Sequence, residues 1–304
     1  MRKSAEGFES ENEQNYNEHS ELVKPTILKN LIFVIIRFGM AFGTKPVNKQ
    51  SDALWFLKEA SAKLGWDDLS EDVVMDIGCG TGNASTTLLE LFPNVKKIIA
   101  IDLYPKIIEE AQANNPHEKL QYEVADIEDS SKLTQFEDKI TKAISTYCFN
   151  TLRRVQEAFK NVSRILSING EAALLIKLRG PFDILLERLY TESEWVPYLP
   201  PFSDVILPPH IRKMASEDFA LAASRAGFKV IECRVKEHLY YFDTEEEFRN
   251  SLVPAIPIVK KMDENVAVKF NNYLFEFLVK LHPKKVDGKF CLPNNILVLL
   301  LRKI

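Results

Sequence analysis

The sequence predicts an α/β fold: a mostly parallel, seven-stranded sheet flanked by helices. Three observations carry that prediction. Short apolar runs, fit for strands buried on both faces, alternate with amphipathic helical stripes between Val73 and Ile176. Strands and helices at that pitch require crossover connections, which make a sheet parallel. A cluster of glycines, Gly78, Gly80 and Gly82, then stands directly between a strand and a helix in a chain that has only 11 glycines in 304 residues. With 46% hydrophobic and 27% charged residues, the chain has ample material for one large core or two small ones.

The elements follow in order. Ala53, Leu57, Ala60 and Leu64 recur at helical spacing, with Ser51 or Asp52 placed to cap the helix start. Val73–Ile77 is the first strand, and Ala84, Leu88, Leu91 and Phe92 mark the helix after the glycine turn. Lys97–Ile101 is the second strand. Pro105 opens another helix, with Ile107, Ile108 and Ala111 on its apolar face. Leu120–Val124 and Ala143–Cys148 are the third and fourth strands. Val155, Ala158, Phe159, Val162 and Leu166 form a helical stripe, and Asn169-Gly170 turns into the strand Glu171–Ile176.

Beyond Lys177 the rhythm breaks. Residues 178–226 hold six prolines together with Trp195, Tyr198 and Phe202, an aromatic insertion over the sheet rather than a separate domain. Gly227 stops a helix at Phe219–Ala226 before the strand Lys229–Val235. Residues 243–282 are a helical insertion, and Asn295–Leu301 is the last strand. Residues 44–304 therefore read as one domain with a helical lid at 178–226, behind an N-terminal extension at 1–43. In that extension Met1–Lys24 is polar and acidic, with the composition of a disordered tail. Leu31–Phe42 reads as an amphipathic helix: twelve residues containing Arg37 are too few for a membrane span.

Composition excludes several functions. The net charge of −4 supplies no basic footprint for nucleic acid. The four cysteines, Cys79, Cys148, Cys233 and Cys291, lie far apart with no C-x-x-C pair, so neither a disulfide scaffold nor a metal site is expected. Free thiols fit a reducing, cytoplasmic setting. Stable membrane insertion is not expected, and a homo-oligomer stays open.

The chemistry concentrates at Asp76-Ile-Gly78-Cys-Gly80-Thr-Gly82. Glycines there let backbone approach a ligand and take positive φ. A P-loop would need a terminal Gly-Lys-Ser/Thr, which is absent, and the third glycine arrives one residue too early for a dinucleotide fingerprint. Asp102 ends the second strand, placed to accept ribose hydroxyls. Asp126, in Ala125-Asp126-Ile127, follows the third strand and can accept an adenine amino group. Asp76 can face an ammonium or shape the loop. With Leu103 and Ile127 beside them, three carboxylates at successive strand ends around a triple-glycine turn specify a nucleoside site. Tyr147, just after the fourth strand, packs in the same crevice.

Asp-x-Gly-x-Gly-x-Gly, Ile101-Asp102 and Ala125-Asp126-Ile127 together resemble the Rossmann-like class I methyltransferases that use S-adenosylmethionine. More closely, Asn48-Lys49-Gln50-Ser51-Asp52-Ala53, Tyr147-Cys148, Phe182-Asp183, Trp195-Val-Pro-Tyr198, Phe202…Pro208-Pro209-His210 and Ala226-Gly227-Phe228 resemble the juvenile hormone acid methyltransferase family. The resemblance is collinear from about residue 44 to the end.

That resemblance implies methyl transfer from S-adenosylmethionine to the carboxylate of a small lipophilic acid such as farnesoic or juvenile hormone acid. An acid of pKa near 4–5 is already ionised at neutral pH, so no general base is required. In such relatives a Gln before the first helix and a Trp after the fourth strand orient the carboxylate. Gln50 matches the first. At the second, the family's His-Trp pair is Asn150-Thr151 here, leaving a shorter hydroxyl at Thr151. Phe182, Trp195, Tyr198 and Phe202 are candidates to line an apolar pocket, with His210 near the carboxylate. Two alternatives stay open: another small-molecule acceptor with the same cofactor, and a cofactor-binding homologue without turnover.

Overall fold

Val73-Val74-Met75-Asp76-Ile77 (β1) forms a central strand because all its side chains except the first are fully buried between two helical layers. The computed structural model describes residues 47–199, 201–202, 209, 213–252, 262–282, 285–286 and 288–304. The extension at 1–43, with the tail and apolar stretch expected there, lies outside the described residues.

Around β1 stand β2 (Lys97–Asp102), β3 (Leu120–Val124), β4 (Ile140–Thr146), β5 (Leu166–Lys177), β6 (Phe228–Phe242) and β8 (Lys289–Lys303), in the order β3-β2-β1-β4-β5-β8-β6. A two-residue β7 (Lys285–Val286) pairs with the start of β8, giving eight strands among the described residues where seven were expected. The pairs among β1 to β5 are parallel, and β8 runs antiparallel to both β5 and β6. The carboxyl ends of β1 to β5 therefore share one edge, where a doubly wound sheet places its crevice.

On one face α1 (Val47–Leu64), α2 (Asn83–Leu91) and α3 (Pro105–Asn114) bury Phe56, Leu57, Leu88 and Ile108 against Val74, Ile98 and Val298. On the other, α4 (Val155–Ile165) and α6 (Ser216–Arg225) bury Phe159, Val162 and Phe219 against Met75, Ile99 and Leu174. Each such side chain contributes about 1.5–3 kcal/mol of transfer free energy.

Helix α1 begins by Val47, a turn earlier than the capping reading placed it, so Asp52 is an interior helical residue and not a cap. β6 also overruns its expected end at Val235, pairing with β8 from Phe228↔Lys303 to Phe242↔Phe290. That long hairpin arm carries a third core. Phe242, Phe290 and Leu292 from its tip pack with α5 (Pro181–Leu189), α7 (Glu245–Leu252) and α8 (Glu264–Leu281). Helices α5, α7 and α8 fall within residues 178–226 and 243–282, whereas α6, also within the first of these segments, packs on the sheet. No helix among the described residues is long and apolar enough to cross a membrane.

Candidate functional site

The turn after β1 is shaped by backbone geometry that side chains resist. Gly78 has φ +70°, and a Cβ there would lie 2.5 Å from Cβ and Sγ of Cys148. Gly82, at the start of α2, has φ +89°, and its Cβ would lie 2.6 Å from the Tyr122 hydroxyl. The loop leans on β2: the N–H groups of Gly78 and Cys79 both donate to the Ile101 carbonyl, at 2.8 and 3.0 Å. Asn115 Nδ2 holds the far side through the Thr81 carbonyl at 2.9 Å.

Asp102 joins the loop to the next turn. Its Oδ2 accepts from Gly80 N–H at 3.1 Å, and its Oδ1 accepts from Tyr104 N–H at 3.1 Å. Each carboxylate oxygen keeps a further lone pair for a ligand hydroxyl. Burial raises the Asp102 pKa, opposed by those backbone hydrogen bonds. Leu103 beside it is 50% exposed, an apolar surface open at the strand edge. Asp126 Oδ1 accepts from Glu128 N–H at 2.8 Å, closing a local turn. Ile127 sends its side chain into the core, and its carbonyl accepts from Asn161 at 2.7 Å, so the loop after β3 is anchored to α4.

Asp76 is fully buried beneath the loop. Ser85 donates to its Oδ2 at 2.6 Å, whereas Oδ1 has no hydrogen-bond partner among the described residues. Burial pushes its pKa up to about 7; Ser85 opposes the rise and the Asp102 charge adds to it. An orphaned buried acceptor costs about 1–3 kcal/mol, so an atom of this kind fits a ligand cation such as an α-ammonium. With the glycine turn and Asp102, the donor set suits a nucleoside joined to an amino acid.

Tyr147 follows β4 at φ +60°, and its N–H donates to the Leu175 carbonyl at 2.8 Å. That geometry directs its hydroxyl to Asp52 Oδ2 at 2.8 Å, while Trp55 Nε1 donates to Asp52 Oδ1 at 3.1 Å. Burial and the Asp52 charge drive the Tyr147 pKa well up. Sequence reasoning missed Asp52 and Ser85 as parts of this arrangement. Asp52 meets Tyr147 from ninety-five residues away, which no spacing signals, whereas Ser85 stands only nine residues beyond Asp76, in the helix that follows the turn.

The turn Phe149–Thr151 holds the Asn150-Thr151 departure. Thr151 gives its hydroxyl proton to the Cys148 carbonyl at 2.7 Å, which removes it as a donor to a bound acid in this conformation. Asn150 is buried, and its Oδ1 accepts from the Lys177 N–H at 3.4 Å. Gln50 lies in the first turn of α1, its side chain outside the described residues, as is His210.

Of the four aromatic candidates, Phe182 and Trp195 belong to the cap's own core, 3% and 2% exposed. Trp195 meets Phe270 edge-on at 5.0 Å, so its ring is a packing element. Tyr198 packs at the margin of that core, and Phe202 is exposed beside Tyr190 at 5.0 Å. The structure thus brings Asp76, the glycine turn and Asp102 together, and commits Phe182, Trp195 and Tyr198 to the cap's own core with Phe202 exposed.

Residues 75–174 match the family described as "Methyltransferase domain". The chain is 20% identical to juvenile hormone acid O-methyltransferase of Drosophila melanogaster, over 84% of this chain and 88% of that one. It is 26% identical to the Bombyx mori enzyme of the same name, over 69% of this chain and 75% of that one. Among solved structures, a phosphoethanolamine N-methyltransferase of Haemonchus contortus, in complex with S-adenosyl-L-methionine, superposes with TM-score 0.51 at 14% identity. That superposition covers 88% of this chain and 56% of the nematode protein, and at such identity it speaks for the fold alone.

Proposed function

The chain belongs to the class I, S-adenosylmethionine-dependent methyltransferases, among the relatives of the juvenile hormone acid O-methyltransferases, and from that premise we propose that its acceptor is the carboxylate of a small lipophilic acid. Farnesoic acid and juvenile hormone acid are the first candidates. The observation that carries this reading is how the groups beside β4 are committed. Thr151 donates to Cys148, and Asp52 accepts from Tyr147 and Trp55. A hydroxyl or amine acceptor would need a group to take its proton. A carboxylate arrives ionised.

On this reading Asp102 receives the ribose hydroxyls, Asp126 the adenine amino group and Asp76 the α-ammonium, while Leu103 supplies an apolar surface for the base. The backbone of Gly78, Gly80 and Gly82 lets the amino-acid part of the cofactor lie close, and Tyr147 closes the crevice on the β4 side. When bound, S-adenosylmethionine supplies a sulfonium methyl, whose bonding pair stays on sulfur as a carboxylate oxygen takes the carbon, so no proton moves. Gln50 donates to the carboxylate from the start of α1. The cap excludes water, and low polarity strengthens the attraction between anionic acceptor and cationic donor. Holding the reactants in line supplies several kcal/mol, up to about 7–11 in favourable cases.

The test is an acceptor screen with matched farnesyl compounds bearing a carboxylate, a hydroxyl or an amine, alongside medium-chain fatty acids. Methyl esters of the acids are the expected products. Transfer confined to the alcohol or the amine would contradict the reading.

A further inference from the structure

Thr151 is committed to the Cys148 carbonyl, so the acceptor head group needs another donor. The carboxyl edge of the sheet, with its cap seam, is rich in acids: Asp52, Asp76, Asp102, Asp126 and Asp183. An anionic substrate head entering that edge meets repulsion, and burying it without a counter-charge is costly. The sulfonium methyl meets one carboxylate oxygen, and a protein cation beside the other would offset the surrounding acids.

Lys177 is the last residue of β5 and stands at that edge. Its partner across the sheet is Ile296, whose side chain belongs to the core on the α1 face. Paired residues project to the same side, so Lys177 leaves the sheet on the face that carries α1 and Tyr147. Its backbone N–H is held by Asn150 Oδ1, which fixes it beside the turn Phe149–Thr151. Its side chain is 12% exposed, and its Nζ lies 3.8 Å from Asp183 Oδ2, at the start of α5 in the cap. The same Asp183 oxygen accepts from Gly180 N–H at 2.8 Å. Lys177 thus spans the seam between sheet and cap.

A second ammonium shares this row. Lys236 also pairs with Ile296, from the opposite side, and its Nζ sits over the Trp55 ring at 3.9 Å. It lies two strands farther from β4 than Lys177 does, with β8 and β5 between.

We propose that Lys177 is the substrate-positioning cation: its ammonium holds the carboxylate of the acceptor acid in place of the donor that the Asn150-Thr151 turn lacks. The inference rests on the carboxylate reading above. An ammonium has three donors and a flexible stem, so it can keep Asp183 while turning a second N–H to the incoming head group. The buried Lys177–Asp183 pair is then a holder for the cation. A buried ion pair is weak grounds for stability, which leaves a binding role as its better explanation.

The experiment compares wild type with Lys177→Met, Lys177→Arg and Lys236→Met, using farnesoic acid as acceptor and S-adenosylhomocysteine to report the cofactor site. Lys177→Met is expected to raise the KM for the acid at least about thirtyfold while the Kd for S-adenosylhomocysteine stays unchanged. Lys177→Arg restores part of the loss, and Lys236→Met keeps the wild-type KM. If Lys177→Met does not fold because Asp183 loses its ammonium, the double variant Lys177→Met/Asp183→Asn removes both charges and carries the same expectation. An unchanged KM in the single or double variant overturns the proposal and leaves the acceptor class standing. A parallel loss of S-adenosylhomocysteine affinity also overturns it, making Lys177 structural. Absence of any methyl ester with the wild-type protein overturns the acceptor class, and this inference with it.

Discussion

Single carboxylates set the terms of the site. Asp102 links the glycine turn to the turn after β2 through two backbone N–H groups. Removing it deletes a ligand acceptor and leaves Gly80 N–H unanswered. Asp102→Ala is therefore expected to weaken S-adenosylhomocysteine binding by about 1.5–3 kcal/mol, roughly ten- to a hundredfold by calorimetry. Asp76 makes a prediction in pH. Its pKa, raised to about 7 by burial, means the folded chain keeps a proton that the unfolded chain has released above about 4. This group's contribution to stability is thus lost progressively as pH rises from about 4 to about 7, and is constant above. A bound ammonium favours the ionised form, so the sign reverses for binding. Affinity for S-adenosylhomocysteine is expected to fall as pH drops from about 8 to about 6, with proton release near pH 7 that scales with buffer ionisation heat. Asp76→Asn should abolish that proton release.

At the scale of elements, the glycine turn is where local backbone and ligand access coincide. Gly82→Ala meets two penalties, a positive φ and a hydroxyl at 2.6 Å. Gly65, at the end of α1, has φ +72° with nothing within 4 Å of a would-be Cβ, so Gly65→Ala meets only the first. Strain of that kind costs about 1–2 kcal/mol. Both variants are expected to lose a few degrees of Tm, and only Gly82→Ala should also lose cofactor affinity. The turn was legible because spacing, strand and helix all sit within one short segment. The start of α1 was not: apolar periodicity begins at Ala53, and the turn from Val47 to Gln50 has no acidic residue to announce it. The upper half of the β6–β8 arm was hidden for another reason. Pro293 and Asn294 read as turn residues ahead of the expected strand, and a proline lacks the N–H a ladder needs, yet Pro293 pairs with Leu239 inside the strand.

Over the whole molecule, the two faces of the sheet and the cap form three cores, and the opposite edge of the sheet is tied by a buried carboxylate. Glu171 accepts from Trp66 Nε1 at 2.7 Å, from Lys142 Nζ at 3.3 Å and from Arg302 at 2.6 Å, so it joins β5 to β4, β8 and the end of α1. Glu171→Ala removes that shared acceptor while Asp72 still pairs with Lys142 at 3.6 Å, and is expected to cost about 1–3 kcal/mol in urea unfolding, with methyl transfer retained by the fraction that folds. The sheet layout was legible from alternation, but the cap's interior was not. Trp195 is buried by Phe270 and Tyr273, which arrive from a helix some seventy-five residues later, so sequence could not separate a pocket wall from a core. Charge tells a similar story: Lys177 is an unremarked residue in the chain and the cation of the acid-rich edge only once β5, α1 and α5 are assembled. The reaction proposed for the assembled molecule is transfer of a methyl group to a carboxylate. Its most direct test is to incubate the protein with S-adenosylmethionine carrying a deuterated methyl group and with farnesoic acid, then to analyse the products by mass spectrometry. The expected products are the deuterated methyl ester and an equal amount of S-adenosylhomocysteine. S-adenosylmethionine binding with no labelled ester from farnesoic acid, juvenile hormone acid or any fatty acid would contradict transfer to a carboxylate.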